Sequence, residues 1–533
     1  MLDPSVPLPP LLLSTTAALR RWCQQQRGQG RPVHFVPTMG ALHPGHQQLI
    51  RRAAAPHRGA VPAVLVSVFV NPLQFGAGED FARYPRQLQH DLSAVAAAGG
   101  GALWAPEAAA VYPAGQDDVT RVVPPPSLTQ GLCGASRTGH FEGVATVVAR
   151  LLALVRPDRL FLGEKDWQQL QVLRRMVADL GLPVAVSGCG TVRDADGLAL
   201  SSRNAYLSEA ERLQALALPQ ALQAAQAAVA AGELDAHVLM PLVRQHLQAA
   251  GLRTDYVELV TAHTLKPKQH LEGLSLLAAA VHCGPARLID HVFLMTRAPI
   301  VAIDGPAGAG KSTVTKAFAA RLGLVYLDTG AMYRALTWWV QQRQADPADA
   351  AAVEPLLVDL KLQLGAAADS DSADPTAGQR VSINGHDVTD AIRSPEVTAQ
   401  VSTVAAHACV RAALTAQQQA MGVRGGLVAE GRDIGTAVFP DAELKVFLTA
   451  TVAERARRRA HDLQQRGFVV PSLDELEAQI AERDHLDSSR EMAPLKQAAD
   501  AIALVTDGMT IEGVIQALVE LFRQRVPEDA WPG

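Results

Sequence analysis

Gly305-Pro306-Ala307-Gly308-Ala309-Gly310-Lys311-Ser312 constrains this chain more than any other stretch, because a G-x-x-x-x-G-K-S loop works only between a strand and a helix. Both partners are legible. Ile300-Val301-Ala302-Ile303 is a short apolar run with β-branched residues, as a buried parallel strand requires. Val314, Ala317, Phe318 and Leu322 follow at helical spacing, and Gly323 is placed to end the helix. The glycines let successive backbone N–H groups point at phosphate oxygens, Lys311 adds a positive charge, and the Ser312 hydroxyl suits a Mg²⁺ ion. Such a strand-loop-helix normally opens its domain, so that domain starts near Pro299 and the residues before it must form a second protein.

Size and composition agree with two parts. At 533 residues the chain exceeds what one core usually supports, and about 150 residues per domain suggests three or four units. Hydrophobic residues make up 48% and charged residues 19%, which supplies large cores and excludes global disorder. A formal charge of −5 gives no broad attraction to nucleic acid or anionic membrane. The five cysteines, Cys23, Cys133, Cys189, Cys283 and Cys409, are scattered and lack C-x-x-C spacing, which fits a reducing cytoplasm. Leu11-Leu12-Leu13 is flanked by prolines with no basic residue before it, so it does not read as a signal peptide, and no apolar run reaches membrane-spanning length.

In the first half, Val33-His34-Phe35-Val36 reads as a buried strand that leads through Met39-Gly40 to His43-Pro44-Gly45-His46 and a helix marked by Leu49, Ile50, Ala53 and Ala54. Two histidines at the positive end of a helix dipole suit a triphosphate and charge developing at phosphorus; a helix cap with two surface histidines is the alternative. Val64 to Val70 is a second buried strand ending at Asn71-Pro72-Leu73-Gln74-Phe75. Ligands of open parallel sheets bind at such ends, so Asn71 and Gln74 suit a neutral hydroxyl-bearing substrate, with ordinary turn chemistry as the alternative. Ser136-Arg137-Thr138-Gly139-His140 is a polar loop before the amphipathic helix Gly143 to Val155, and Leu160-Phe161-Leu162 ends at Gly163-Glu164-Lys165-Asp166 with Gln168-Gln169 beyond. Leu200-Ser201-Ser202-Arg203 could grip phosphates, or the serines could cap a helix.

These motifs together resemble pantothenate synthetase (pantoate–β-alanine ligase) from about Leu12 to Asp290. The resemblance implies an N-terminal nucleotidyltransferase-like Rossmann domain over 1–205 and a small α+β domain over 206–296, with Tyr256 to Leu259 and Leu276 to Val281 among its strands. It places His43, His46, Lys165, Ser202 and Arg203 on ATP phosphates, with His46 as the proton donor. It places Met39, Gly40, Gly163, Glu164, Asp166, Val192, Leu200 and Ser201 around the rest of the nucleotide, and Gln74, Gln169 and Asn71 on pantoate and β-alanine. The implied catalytic set is His43, His46, Lys165 and Arg203, and a homodimer through this half is expected. Thr138 stands where the family commonly has proline, and Cys189-Gly190 replaces a more usual apolar-proline pair; these departures bear on loop rigidity rather than chemistry.

Ala286-Arg287-Leu288-Ile289-Asp290 resembles the end of the ligase family and Pro299 begins the next strand, so fewer than ten residues connect the two and no flexible tether is expected. In the second half, Leu324 to Leu327 is a strand ending at Asp328-Thr329-Gly330-Ala331-Met332-Tyr333-Arg334. Ala345 to Ala377 contains an acidic surface loop expected to be mobile, and Arg380 to Ile383, Asn384-Gly385 and Asp387-Val388 read as a hairpin. Leu427 to Glu430 is a strand with Gly431-Arg432-Asp433 at its end. Arg455, Arg457, Arg458 and Arg459 crowd one helix, for which a solvated basic face is the usual explanation, while Arg483, Asp484, Asp487 and Arg490 form either internal ion pairs or a phosphate-facing cluster.

With the phosphate loop, these motifs resemble bacterial cytidylate kinase over about Ala298 to Arg525, a P-loop nucleoside monophosphate kinase domain assigned here to 297–533. The resemblance places ATP on Gly305 to Ser312 and Thr313, with Lys311 catalytic and Ser312 on Mg²⁺. It places CMP on Thr329, Arg334, Arg411, Arg432, Asp433, Arg483, Asp487 and Arg490, and sets the Arg455 to Arg459 helix beside a mobile lid. The expected whole is α/β throughout, with two doubly wound parallel sheets. It is a cytoplasmic bifunctional enzyme that uses ATP and Mg²⁺, makes pantothenate from pantoate and β-alanine through an acyl-adenylate, phosphorylates CMP or dCMP, and binds neither nucleic acid nor membrane.

Overall fold

Val33, Phe35 and Val36 are fully buried because their strand runs down the middle of a parallel sheet, covered on both faces. The computed structural model describes residues 9–57, 59–76, 78–365, 379–465, 467, 469–490 and 492–532. The sheet's strands are β1 (Leu11–Leu13), β2 (Val33–Thr38), β3 (Ala63–Val68), β4 (Ala102–Trp104), β5 (Arg159–Gly163) and β6 (Ala185–Cys189), in spatial order β1-β4-β3-β2-β5-β6. Every pairing is parallel. From β2 the chain proceeds outward through β3 and β4 on one side and through β5 and β6 on the other. The order therefore reverses between β2 and β5, and the crevice beyond their C-terminal ends is where such sheets bind ligands. Leu11–Leu13 is an edge strand on β4, a role that three residues are too few to announce by periodicity.

Three helices, Glu209–Ala215, Ala217–Ala230 and Ala236–Ala249, then pack on an antiparallel sheet of β7 (Arg253–Thr261), β8 (Ser275–Cys283) and β9 (Ala286–Leu294). Leu218, Leu222, Leu239, Val243 and Leu247 form their core with Val257, Leu277 and Val281. Five residues, 295–299, separate β9 from β10 (Ile300–Asp304).

The second sheet comprises β10, β11 (Val325–Asp328), β15 (Leu427–Gly431), β16 (Leu444–Thr449) and β17 (Ile502–Val505), ordered β11-β15-β10-β16-β17 and parallel at every pairing. Between β11 and β15 the chain makes a three-stranded antiparallel sheet of β12 (Leu362–Gly365), β13 (Arg380–Ile383) and β14 (His386–Asp387), with the expected hairpin at Asn384-Gly385. Of the expected acidic loop, residues 366–377 lie outside the described residues.

The chain divides into two compact units, Met1–Thr296 with Val526–Pro532, and Arg297–Arg525. The last residues thus return to the unit that the first half builds.

Candidate active sites

In the first unit, the helix Pro44–Ala54 starts where β2 ends, and two imidazoles make its cap. The Gly45 N–H donates to His43 Nδ1 at 3.2 Å, and the His43 N–H donates to His46 Nδ1 at 3.4 Å. A backbone N–H can only donate, so each neutral ring carries its proton on Nε2. Burial lowers the His43 pKa to about 4, with Lys165 adding to the effect, and lowers that of His46 to about 3, with His43 adding to it. Both histidines are therefore neutral Nε2–H donors at pH 7, and both take part in the helix cap.

Asn71 and Gln74 follow β3. Asn71 is 1% exposed; it caps the turn by accepting from the Leu73 N–H, accepts from Tyr112 Oη at 2.8 Å, and donates to Gly143 O and Gln74 Oε1, both at 3.1 Å. Its side chain is committed to holding the turn and Gln74. Gln74 Nε2 reaches Met39 Sδ at 3.1 Å, and the Gln74 carbonyl accepts from His140 Nδ1 at 2.9 Å and from Arg137.

The ends of β5 and β6 bring in the remaining groups. Lys165, Asp166, Gln169, Ser201 and Arg203 line a cleft with Arg137 and His140. Ser201 Oγ accepts from the Arg203 N–H, so this serine caps the short turn Ser202–Tyr206, while Ser202 Oγ accepts from Tyr84 Oη. Arg203 makes a two-point pair with Asp80 at 2.9 and 3.1 Å. Leu200 N–H donates to Val192 O at 2.9 Å. Glu164, expected beside the nucleotide, is 1% exposed and turns its carboxylate to the backbone N–H groups of Glu528 and Asp529. The C-terminal segment is invisible to pattern reading, since seven mixed residues carry no period.

In the second unit the loop Gly305–Gly310 leaves central β10, and the helix Lys311–Arg321 follows. Gly305 adopts φ +152°, and a Cβ there would meet Leu448 O at 2.0 Å, so only glycine fits. Lys311 Nζ donates to Gly305 O and Pro306 O at 2.8 Å, and burial, with Arg432 beside it, lowers its pKa to about 7. Ser312 Oγ donates to Glu430 Oε1 at 2.5 Å. A hydroxyl and a carboxylate oxygen are hard donors that suit Mg²⁺. Glu430 sits at the end of β15, and its strand-like neighbours mask its role in the sequence.

Thr329 Oγ1 donates to Glu430 O at 2.7 Å. Arg334 pairs with Asp328 at 3.0 Å, Arg411 with Asp433, and Asp487 is shared by Arg432 and Arg490. Asp487 is 3% exposed, so the ion-pair alternative describes that part of the cluster. Asp484 is likewise paired, with Arg455; among the described residues, Nε of Arg483 and, outside this cluster, Nε of Arg334 are buried without a hydrogen-bond partner, and an anion would supply one.

The expected solvated basic face is half correct. Arg457 and Arg459 are exposed, with 65% and 47% of their side chains accessible. Arg455 is buried, makes a two-point pair with Asp484, and donates to Ala307 O at 3.1 Å, while Arg458 donates to Ala309 O at 3.2 Å. Both arginines hold carbonyls of the phosphate loop, which a run of like charges conceals.

Two parallel sheets, each gathering cationic and polar groups at strand ends beside a helix N-terminus, define a chain with two phosphate-handling sites. The family model for pantoate-beta-alanine ligase matches residues 11–293 and that for cytidylate kinase matches residues 301–524. A bifunctional pantoate ligase/cytidylate kinase from Parasynechococcus marenigrum (strain WH8102) is 63% identical over 98% of this chain and 99% of its own length. One from Prochlorococcus marinus (strain MIT 9313) is 62% identical over 96% of this chain and 99% of its own. The pantothenate synthetase structure from Thermus thermophilus covers 53% of this chain and 98% of its own, at 46% identity and a TM-score of 0.49. The chain belongs to the bifunctional pantoate ligase/cytidylate kinase family.

Proposed function

We propose that residues 1–205 bind ATP and pantoate, that 206–296 complete this ligase site, and that the unit from 297 onward phosphorylates CMP or dCMP. The observation that carries the ligase reading is the pair of neutral imidazoles capping the helix Pro44–Ala54, close to Lys165. Donors fixed at a helix N-terminus stabilise charge that builds on phosphorus and on a departing pyrophosphate. A pantoate carboxylate oxygen attacks the α-phosphorus of ATP and pyrophosphate leaves; the β-alanine amine then attacks the acyl carbon and AMP departs with that oxygen. His43, His46, Lys165, Ser202 and Arg203 stabilise the phosphates. Arg203 exchanges one partner for another, since Asp80 already occupies its fork. Gln74 and Gln169 hold pantoate, with Asn71 positioning Gln74. Pantoate bearing ¹⁸O in its carboxylate should deliver one label to AMP; label in inorganic phosphate would mean attack at the γ-phosphorus instead.

In the kinase unit a CMP phosphate oxygen attacks the γ-phosphorus of ATP. Lys311 and the loop N–H groups cradle the donor phosphates, and Arg334, Arg432, Arg483 and Arg490 hold the acceptor phosphate. Mg²⁺, held by Ser312 and Glu430 with the nucleotide, would neutralise charge between the phosphates. Thr329, Arg411 and Asp433 make up the acceptor pocket, and a site with polar groups matched to cytosine disfavours other bases. CMP and dCMP should outpace AMP and UMP in ADP formation; equal rates with AMP would indicate a generic nucleotide kinase. A cytoplasmic location and a homodimer through the ligase half complete the reading, and sedimentation velocity checks the latter.

A further inference from the structure

The last residues of the chain are built into the first unit at the point where the ligase reading places the nucleotide. Asp529 accepts the Thr191 N–H on Oδ1 at 2.7 Å and the Thr191 hydroxyl on Oδ2 at 2.5 Å. Glu528 accepts the Gly190 N–H at 3.0 Å and pairs with Arg52 at 2.9 Å. In return, the N–H groups of Glu528 and Asp529 donate to the two oxygens of Glu164 at 3.1 and 2.9 Å. The segment thus ties the end of β5, at Glu164, to the residues just past β6, at Gly190 and Thr191. The residues beside these anchors are Gly163, Lys165 and Val192, all in the expected nucleotide set.

Position 190 independently supports a built contact. A Cβ there would lie 3.2 Å from Asp529 Oδ1 and from Glu528 Cβ, and proline would remove the N–H that Glu528 accepts. Ala530 also packs against the main core of the unit.

We propose that the segment Val526–Pro532 is a strap that sets the ligase nucleotide site, with Asp529 as its positioning residue. By fixing Thr191 and Glu164 it holds the backbone on either side of the nucleotide in one spacing, so the ligase unit of this chain is incomplete without residues that follow the kinase in sequence. This rests on the ligase reading above. The full chain carrying Asp529→Ala should show a KM for ATP in pantoate-dependent pyrophosphate formation raised about tenfold, with kcat changed less than about threefold and the CMP kinase constants unchanged. Asp529→Asn keeps one acceptor for the Thr191 N–H and should stay within about threefold of the parent. A chain ending at Arg525 should show the larger ATP effect. Unchanged ATP KM in both Asp529→Ala and the shortened chain would overturn the strap, and so would a lowered KM or faster ligation, which would identify a plug. A parent chain that forms no pyrophosphate with pantoate would instead overturn the ligase reading itself.

Discussion

His43 and His46 are neutral at pH 7 because burial holds their pKa values near 4 and 3, below the ordinary 6.5. The sign follows: protonation is disfavoured in the folded protein, so folding loses stability as pH falls below 6.5 and these rings must charge. Single-turnover adenylation should therefore show no inflection near pH 6.5 from these residues, with their loss of function confined below about pH 5. A rate that instead falls as pH rises through about 6.5, and no longer does so in His46→Ala, would show that an imidazolium is required. Asn71 illustrates a different residue-scale effect. Asn71→Ala strips partners from Tyr112 Oη and Gly143 O and frees Gln74, so we expect about 1–3 kcal/mol of lost stability and a raised KM for pantoate. A wild-type pantoate KM in a folded variant would remove Asn71 from the positioning role.

Among elements, the helix Val452–Gln465 acts on the phosphate loop through Arg455 and Arg458. Arg455→Ala leaves Asp484 without its partner and Ala307 O without its donor. The kinase KM for ATP should rise about tenfold while that for CMP moves less, and an unchanged ATP KM would contradict the clamp. This helix also shows what sequence can carry. Strand-loop-helix units such as Ile300 to Leu322 are legible because hydrophobic period, glycine and polar loop all change together. Arg455 is not, because a buried arginine and a solvated one look alike until a partner such as Asp484 is known. Glu430 is readable as a strand end but not as the partner of Ser312, and Leu11–Leu13 is too short for its edge pairing to be read.

For the molecule as a whole, the inner strands of both parallel sheets, such as Val33 to Val36 and Ile300 to Ile303, follow from their apolar runs, while the return of Val526–Pro532 to the first unit does not: it depends on backbone groups of Glu528 and Asp529 meeting a carboxylate more than three hundred residues earlier. On the proposed function, one chain carries two chemistries that cut ATP at different phosphorus atoms. ³¹P NMR of the full chain with ATP tests it: pantoate plus β-alanine should yield AMP and pyrophosphate, and CMP should yield ADP and CDP. His46→Ala should slow the first by about a hundredfold and spare the second, and Lys311→Ala should do the reverse, since substitutions at sites that share no residues act additively. Loss of both product sets from either substitution in a folded protein, or ADP as the product of pantoate consumption, would contradict the account.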